Sequence, residues 1–285
     1  MKKNTMLVVC LSFLCAGCII ITDNSVAGSG NVITRSYEVQ NFTDVELLGS
    51  MSAKIVQGDT FKVEVTIDDN LIDMVNVEVW EQQLKIAMKQ RSSWSWGVRR
   101  QHTAYRVLIT MPTMKALQVS GSATVVMEGF KDSSSYYDII MSGSGKVRAD
   151  ALVAEKIMTS VKGSGSIEFK GRAKELELTD SGSGRIHADV EAEKVTAFLR
   201  GSGSIKLKGR TKELDHTLSG SGALYAFDCS ASVVKVMVRG SGVTQVNAAD
   251  SLDVTISGSG NVMYKGVPVK LQTAIRGSGR VHPTL

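Results

Sequence analysis

"GSGSIEFKGRAKELEL" at Gly163–Leu178 returns, slightly altered, as "GSGSIKLKGRTKELDH" at Gly201–His216. The shared Gly-Ser-Gly opening is no isolated pair. Intact triplets begin at Gly143, Gly163, Gly182, Gly201, Gly220, Gly240, Gly258 and Gly277, with spacings of 20, 19, 19, 19, 20, 18 and 19 residues. A period this short gives one turn of a solenoid per repeat, because such a unit cannot bury its own apolar face and must stack on its neighbours. Degenerate copies at Gly49-Ser50-Met51 and Gly121-Ser122-Ala123, and an intact one at Gly28, carry the pattern upstream.

Between triplets the apolar residues alternate, the period of a strand with one buried face. Two residues past each triplet stand Val147, Ile167, Ile186, Ile205, Leu224, Val262 and Val281, with Thr244 as the exception. A second set precedes the next triplet: Ile157, Leu176, Val195, Leu214, Val234, Leu252 and Leu271. Each coil therefore contributes at least two strands to one core. The expected fold is all-β, a β-solenoid with coils of about 19 residues, read as a right-handed β-helix or β-roll. The triplet is its corner, since Gly reaches positive φ freely and Ser bonds nearby backbone. A phosphate-binding loop would need a helix after the glycines, and strand follows here.

Outward residues form columns. Ser142, Lys162, Ser181, Arg200, Ser219, Arg239, Ser257 and Arg276 alternate small with basic, which spaces like charges along the stack. Asp150, Lys170, Asp189 and Lys208 alternate in sign and predict cross-strand pairs.

Composition agrees with many turns and little helix: Gly 27 against Pro 3, with charged residues at 21%. The amino terminus reads differently. Lys2 and Lys3, the apolar run Met6–Leu14 and "CAGC" at Cys15–Cys18 have the form of a bacterial lipoprotein signal, with residues 1–17 removed and Cys18 lipidated. A plain secretory signal is the alternative. Processing leaves Cys229 as the one thiol in the body of the chain and lowers the formal charge from +5 to about +3, too little to argue for nucleic acid.

Residues 18–30 then read as a linker, 31–119 as a β-rich amino-terminal part and 120–285 as the repeat solenoid. In the upstream part, "DDNLIDM" marks a short helical interruption among strands. The succession "FTDVELLGS", "QGDTFKVEVTIDDNL", "LKIAMK", "YRVLITMP" and "LQVSGSATV" resembles the auto-transporter adhesin, head GIN domain family. The resemblance covers nearly all of the chain after the leader. It implies an all-β solenoid in a secreted or lipidated bacterial protein, with adhesion suggested by analogy, and supplies no catalytic residues.

Candidates for chemistry are few. Asp180 falls where other coils have Val161, Leu199, Leu218 and Val238, and His216 takes the inward place of Leu178 and Val236. Polar residues near a corner, satisfied by backbone bonds, explain both better than catalysis does. His102, His187 and His282 lack metal-ligand spacing, and nothing activating neighbours Cys229 in sequence. No cofactor or metal is expected. The most distinctive stretch is "RSSWSWGVRRQH" (Arg91–His102), in which Arg91, Trp94, Trp96, Arg99 and Arg100 suit sugar rings, acidic glycans, partner proteins or a membrane interface. Capping of an open solenoid end is its other reading. The sequence thus points to a non-enzymatic lipoprotein of the cell envelope, at the outer membrane on a face left open, displaying a surface for a glycan or protein ligand. A carbohydrate-active β-helix enzyme and a purely structural envelope protein are the alternatives.

Overall fold

The computed structural model describes residues 27–89, 104–130 and 134–284. Upstream of the repeats lie β1 (Val32–Tyr37), β2 (Asp44–Gly49), β3 (Ser52–Gln57), β4 (Lys62–Asp68), a 3₁₀ turn at Ile72–Met74, β5 (Val75–Trp80), β6 (Gln83–Met88), β7 (Arg106–Met111), β8 (Ala116–Gly121) and β9 (Thr124–Glu128). The repeats supply β10 (Ser134–Gly143), β11 (Lys146–Gly163), β12 (Ser166–Gly182), β13 (Arg185–Gly201), β14 (Ser204–Gly220), β15 (Ala223–Gly240), β16 (Val243–Gly258), β17 (Asn261–Lys265), β18 (Lys270–Arg276) and β19 (Arg280–Pro283). The protein is an all-β solenoid.

Two parallel ladders run the length of the stack. The leading ladder joins the stretches that follow each triplet (Ile167↔Ile186↔Ile205), and the trailing ladder joins those that precede the next (Leu176↔Val195↔Leu214). Between them each coil sends a further short run inward, such as Leu152 and Ala154. The inward positions read from the alternation are buried: Ile167, Leu176, Val195, Ile205 and Leu214 are at most 2% exposed. Each such side chain contributes about 1.5–3 kcal/mol relative to exposure.

The two glycines of a triplet do different work. Gly163 has φ 119°, and a Cβ there would lie 2.7 Å from the Gly143 carbonyl oxygen of the coil before. The carbonyl it approaches accepts the Ser164 N–H at 2.9 Å, a contact repeated from coil to coil. The closing glycine leaves a hole instead: a Cβ on Gly184, Gly203, Gly222 or Gly242 would meet the side chain of Val161, Asp180, Leu199 or Leu218. Each coil's last inward residue thus packs under the next coil's closing glycine.

Upstream, the chain does not stack in sequence order. β2 and β3 form a coil that pairs on one side with β8 and β9, and on the other with β6 and β7. The chain leaves this coil, builds β4 and β5, and returns beneath it. Antiparallel pairings β1–β4–β7 and β5–β6 finish that end of the two ladders. Asp68, Asp69 and Asn70 clasp the incoming chain: Asp68 accepts the Gly30 N–H at 2.7 Å, Asp69 accepts from Ser29 Oγ at 2.6 Å, and Asn70 donates to the Ala27 carbonyl at 2.9 Å. The opposite end carries β18 and β19, where Leu271 and Ile275 of β18 are exposed, as are Val267 and Val269 just before it.

Candidate ligand-binding surface

The interior holds the titratable groups that the repeat pattern singled out, and holds them out of reach. Asp180 is 0% exposed, between Val161 and Leu199 in the trailing ladder. Its carboxylate faces the Gly184 and Ser204 amides without a well-formed hydrogen bond. Desolvation pushes its pKa up to about 6, partly offset by those amides. His216 is 2% exposed, with Nδ1 3.1 Å from the Ala197 carbonyl and Nε2 unpartnered. Burial drives its pKa down to about 4. The two stand in different inward columns, two coils apart in register. Neither reaches solvent, so they form no acid–base pair for a polysaccharide. Cys229 is also buried, and desolvation lifts its thiol to about 11. Among the described residues no three metal-ligating side chains converge.

A ligand can reach the described residues on the outer faces. Cys18, Arg91, Trp94, Trp96, Arg99 and Arg100 lie outside the described residues. The flanking strands do fix where the Trp/Arg segment enters the topology. β6 belongs to the trailing ladder and β7 to the leading one, so the segment joins the same two ladders that Gly-Ser-Gly joins elsewhere.

The outer faces of the repeats differ in their charge balance. On the trailing face, Lys194 contacts Glu213 and Asp215 at 3.5 and 3.1 Å, and Lys235 reaches Glu213 at 2.7 Å. On the third face, Glu191 bridges Arg172 and Arg210 at 3.2 and 2.9 Å, with Lys174–Glu155 and Lys212–Glu193 alongside. These ladders flank a shallow groove of about 450 Å³ floored by Ala154, Ala173 and Ala192. Their charges are mutually satisfied. The alternation of Lys170, Asp189 and Lys208 is in register without an ion pair among them, while Lys146–Glu168 and Arg148–Asp150 pair at 3.4 and 3.7 Å on the earlier coils of the same face.

The later coils of the leading face are different. Here His187, Lys206, Tyr225 and Gln245 stand opposite one another on successive strands, with Arg185 before them and Lys208 after. Among the described residues, Arg185, Lys206 and Lys208 form no ion pair. His187 is held below its ordinary pKa first by desolvation, then by the Lys206 charge. Tyr225 is 44% exposed. The coil from Gly220 to Gly240 is one residue longer than its predecessor, and the pairing registers shift between Lys206 and Lys208 and between Ala226 and Ser230. The extra residue breaks the alternation: Ala226 and Cys229 are buried while Phe227 and Asp228 both face outward. Phe227 carries the Lys265 ammonium 4.9 Å from its ring centre. The result is a groove of about 520 Å³. Sequence reasoning missed this surface, though the 20-residue spacing after Gly220 marked where the repeat yields.

The model of the putative auto-transporter adhesin, head GIN domain family matches residues 41–189 and 173–268. Among solved structures, a putative lipid binding protein from Parabacteroides distasonis is similar at 27% identity and TM-score 0.70, covering 92% of this chain and all of its own. A putative adhesin from the same organism matches at 26% identity and TM-score 0.70, with the same coverage. One from Parabacteroides merdae, at 20% identity and TM-score 0.65, covers 92% of this chain and 99% of its own and shares the fold. No curated protein matches the chain. With its strand order, its triplet corners and most of its length accounted for, the chain belongs to the family of the auto-transporter adhesin, head GIN domain.

Proposed function

We propose that this protein is a non-enzymatic, lipid-anchored binding module of the bacterial cell envelope, presenting the outside of its solenoid to a glycan or protein. The observation that carries this reading is the division of the molecule into a closed interior and a patterned exterior. The strongly shifted groups Asp180, His216 and Cys229 are all buried, so no reacting substrate meets them. The outer faces repeat with the coil and offer many shallow contacts in line, the geometry by which solenoids bind. Family membership and the adhesin naming of a relative 26% identical support it. The sequence between β6 and β7 adds Trp94, Trp96, Arg99 and Arg100, aromatic and basic residues of the kind used in recognition.

Cys18 is the proposed lipid attachment point and the outer membrane the proposed site. Among the described residues no helix is long and apolar enough to cross a membrane. The relative named for lipid binding suggests a second ligand class, which would have to meet an outer face, because the inward positions of the repeats are filled by packed side chains.

Protease shaving of intact cells, with lysed cells as control, tests the placement. Degradation on intact cells is expected for a surface adhesin, and degradation only after lysis refutes that role. Glycan and host-protein arrays probed with wild type and with Trp94→Ala/Trp96→Ala then test binding. A wild type that binds nothing on either array refutes the binding-module reading in favour of a structural one.

A further inference from the structure

We propose that the leading face of the coils between Gly182 and Gly258 is a binding site for an acidic polysaccharide, with Arg185, Lys206 and Lys208 taking its anionic groups and Tyr225 and Phe227 its sugar rings. This rests on the binding-module reading and names the site and ligand class within it.

Three independent observations converge. The first is uncompensated charge. Several basic side chains on the other two faces are paired with carboxylates within 4 Å, as in Arg172–Glu191–Arg210 and Lys194–Asp215, whereas Lys162, Arg200 and Arg239 at the trailing corner form no ion pair among the described residues. Arg185, Lys206 and Lys208 likewise form no ion pair among the described residues, although the sheet places Asp189 and Asp228 in the rows beside Lys208; Glu168, beside His187, pairs with Lys146 at 3.4 Å. The second is aromatic exposure. Tyr225 lies in the same row as Lys206, one strand on, and Phe227 stands two residues further along with Lys265 over its ring. Ring faces beside cations fit a sugar that stacks and carries a carboxylate or sulfate. The third is backbone irregularity. The repeat is broken by a bulge at Ala226–Cys229, where it turns Phe227 outward, and bulges re-aim side chains beside functional sites.

Shape selects among anionic partners. The groove is shallow, of about 520 Å³, and runs across strands that step by about 4.8 Å. A chain with anions at regular intervals can follow such a row. A folded acidic protein would need a larger apolar centre, and a bilayer would need the aromatic residues at a tip of the molecule instead of mid-stack on a flat face.

The test is calorimetric titration of the full-length protein with oligogalacturonate, a uronate polymer, at low salt and at 150 mM NaCl. Wild type is expected to bind, less tightly at the higher salt. Lys206→Ala/Lys208→Ala is expected to lower affinity at least about tenfold, a ratio equivalent to about 1.4 kcal/mol. Tyr225→Ala keeps every charge and is expected to lower it about threefold to tenfold, the range for one aromatic contact. Lys194→Ala, from the ion-paired ladder of the trailing face, is expected to change nothing. All four positions face solvent, and thermal unfolding verifies that each variant is folded. Equal affinity for wild type and the two site variants overturns the proposal, as does failure of wild type to bind oligogalacturonate or dextran sulfate. Phosphatidylglycerol vesicles captured through these residues, with oligogalacturonate ignored, overturn the ligand class. Binding to neutral glycans or proteins on the arrays, unaffected by these variants, removes this site and leaves the binding-module reading standing; failure on every array removes both.

Discussion

Replacing Asp180 by Leu should stabilise this protein and, at the same time, make its stability depend more strongly on pH. Asp180 occupies an inward position whose neighbours are Val161 and Leu199, and its carboxyl group fills the hole under Gly203 that a Leu side chain fills under Gly222. The volume is therefore available to Leu. Burial raises the Asp180 pKa from 3.8 to about 6, so the folded protein holds this proton more tightly than the unfolded chain. The favourable contribution is complete below pH 3.8 and is lost as pH rises through 6, leaving a deficit of about 3 kcal/mol at pH 7.5. His216 acts oppositely: its pKa falls from 6.5 to about 4, so stability present above 6.5 is lost on acidification. Between pH 7.5 and 5 the His216 loss is about 2 kcal/mol and the Asp180 recovery slightly over 1, so together they change stability by less than about 1 kcal/mol. Urea denaturation at the two pH values, with the slope checked for constancy, reads both effects. Asp180→Leu is expected to be about 3 kcal/mol more stable than wild type at pH 7.5 and to lose about 2 kcal/mol by pH 5. Asp180→Asn keeps the shape without the titration and should show the same pH slope. If neither variant exceeds wild type at pH 7.5, or if both keep the wild-type slope, the account of the buried carboxylate is wrong.

Other consequences of the packing can be checked singly. Gly201→Ala combines φ 122° with a Cβ driven onto the Gly182 carbonyl, and a loss of about 3 kcal/mol is expected by denaturation. Thr244 is 0% exposed with an unpartnered hydroxyl, in a row otherwise filled by Leu224 and Val262, so Thr244→Val should gain about 1 kcal/mol. Cys229, buried and raised to about 11, should resist iodoacetamide at pH 8 in the folded protein and react fully in urea, as peptide mass spectrometry will report. Glu213→Gln breaks ion pairs to Lys194 and Lys235 that are all partly exposed, and a loss above about 1 kcal/mol would contradict their surface character.

Sequence alone determined the solenoid, because its architecture rests on local periodicities. Gly-Ser-Gly at 18 to 20 residues sets one corner per coil, and alternation such as Ile167 with Phe169 sets which side faces the core. Identical neighbours then make the register unambiguous, since each row of the ladder repeats the same chemistry. The short helical turn in "DDNLIDM" was legible for the same local reason and lies at Ile72–Met74. Asp180 and His216 stood out by substituting polar groups into apolar columns, but only their burial showed that they act on stability and not on a substrate.

What the tertiary structure decided is everything that depends on order and contact between coils. Nothing local in β2 and β3 says that β6 and β7 return beneath them, because parallel pairing through a long connection is fixed by the assembled stack. Ion pairing likewise belongs to faces. Lys194 and Lys206 are both lysines at outward strand positions, yet one meets Glu213 and Asp215 while the other stands beside His187 and Tyr225. The candidate site arises from that difference and from one inserted residue, whose effect is to turn Phe227 outward once Ala226 and Cys229 are held in the core. A periodic sequence specifies the repeating unit; which outward residues remain unsatisfied is decided by their neighbours one coil away, about 19 residues distant in the chain and about 4.8 Å distant in space.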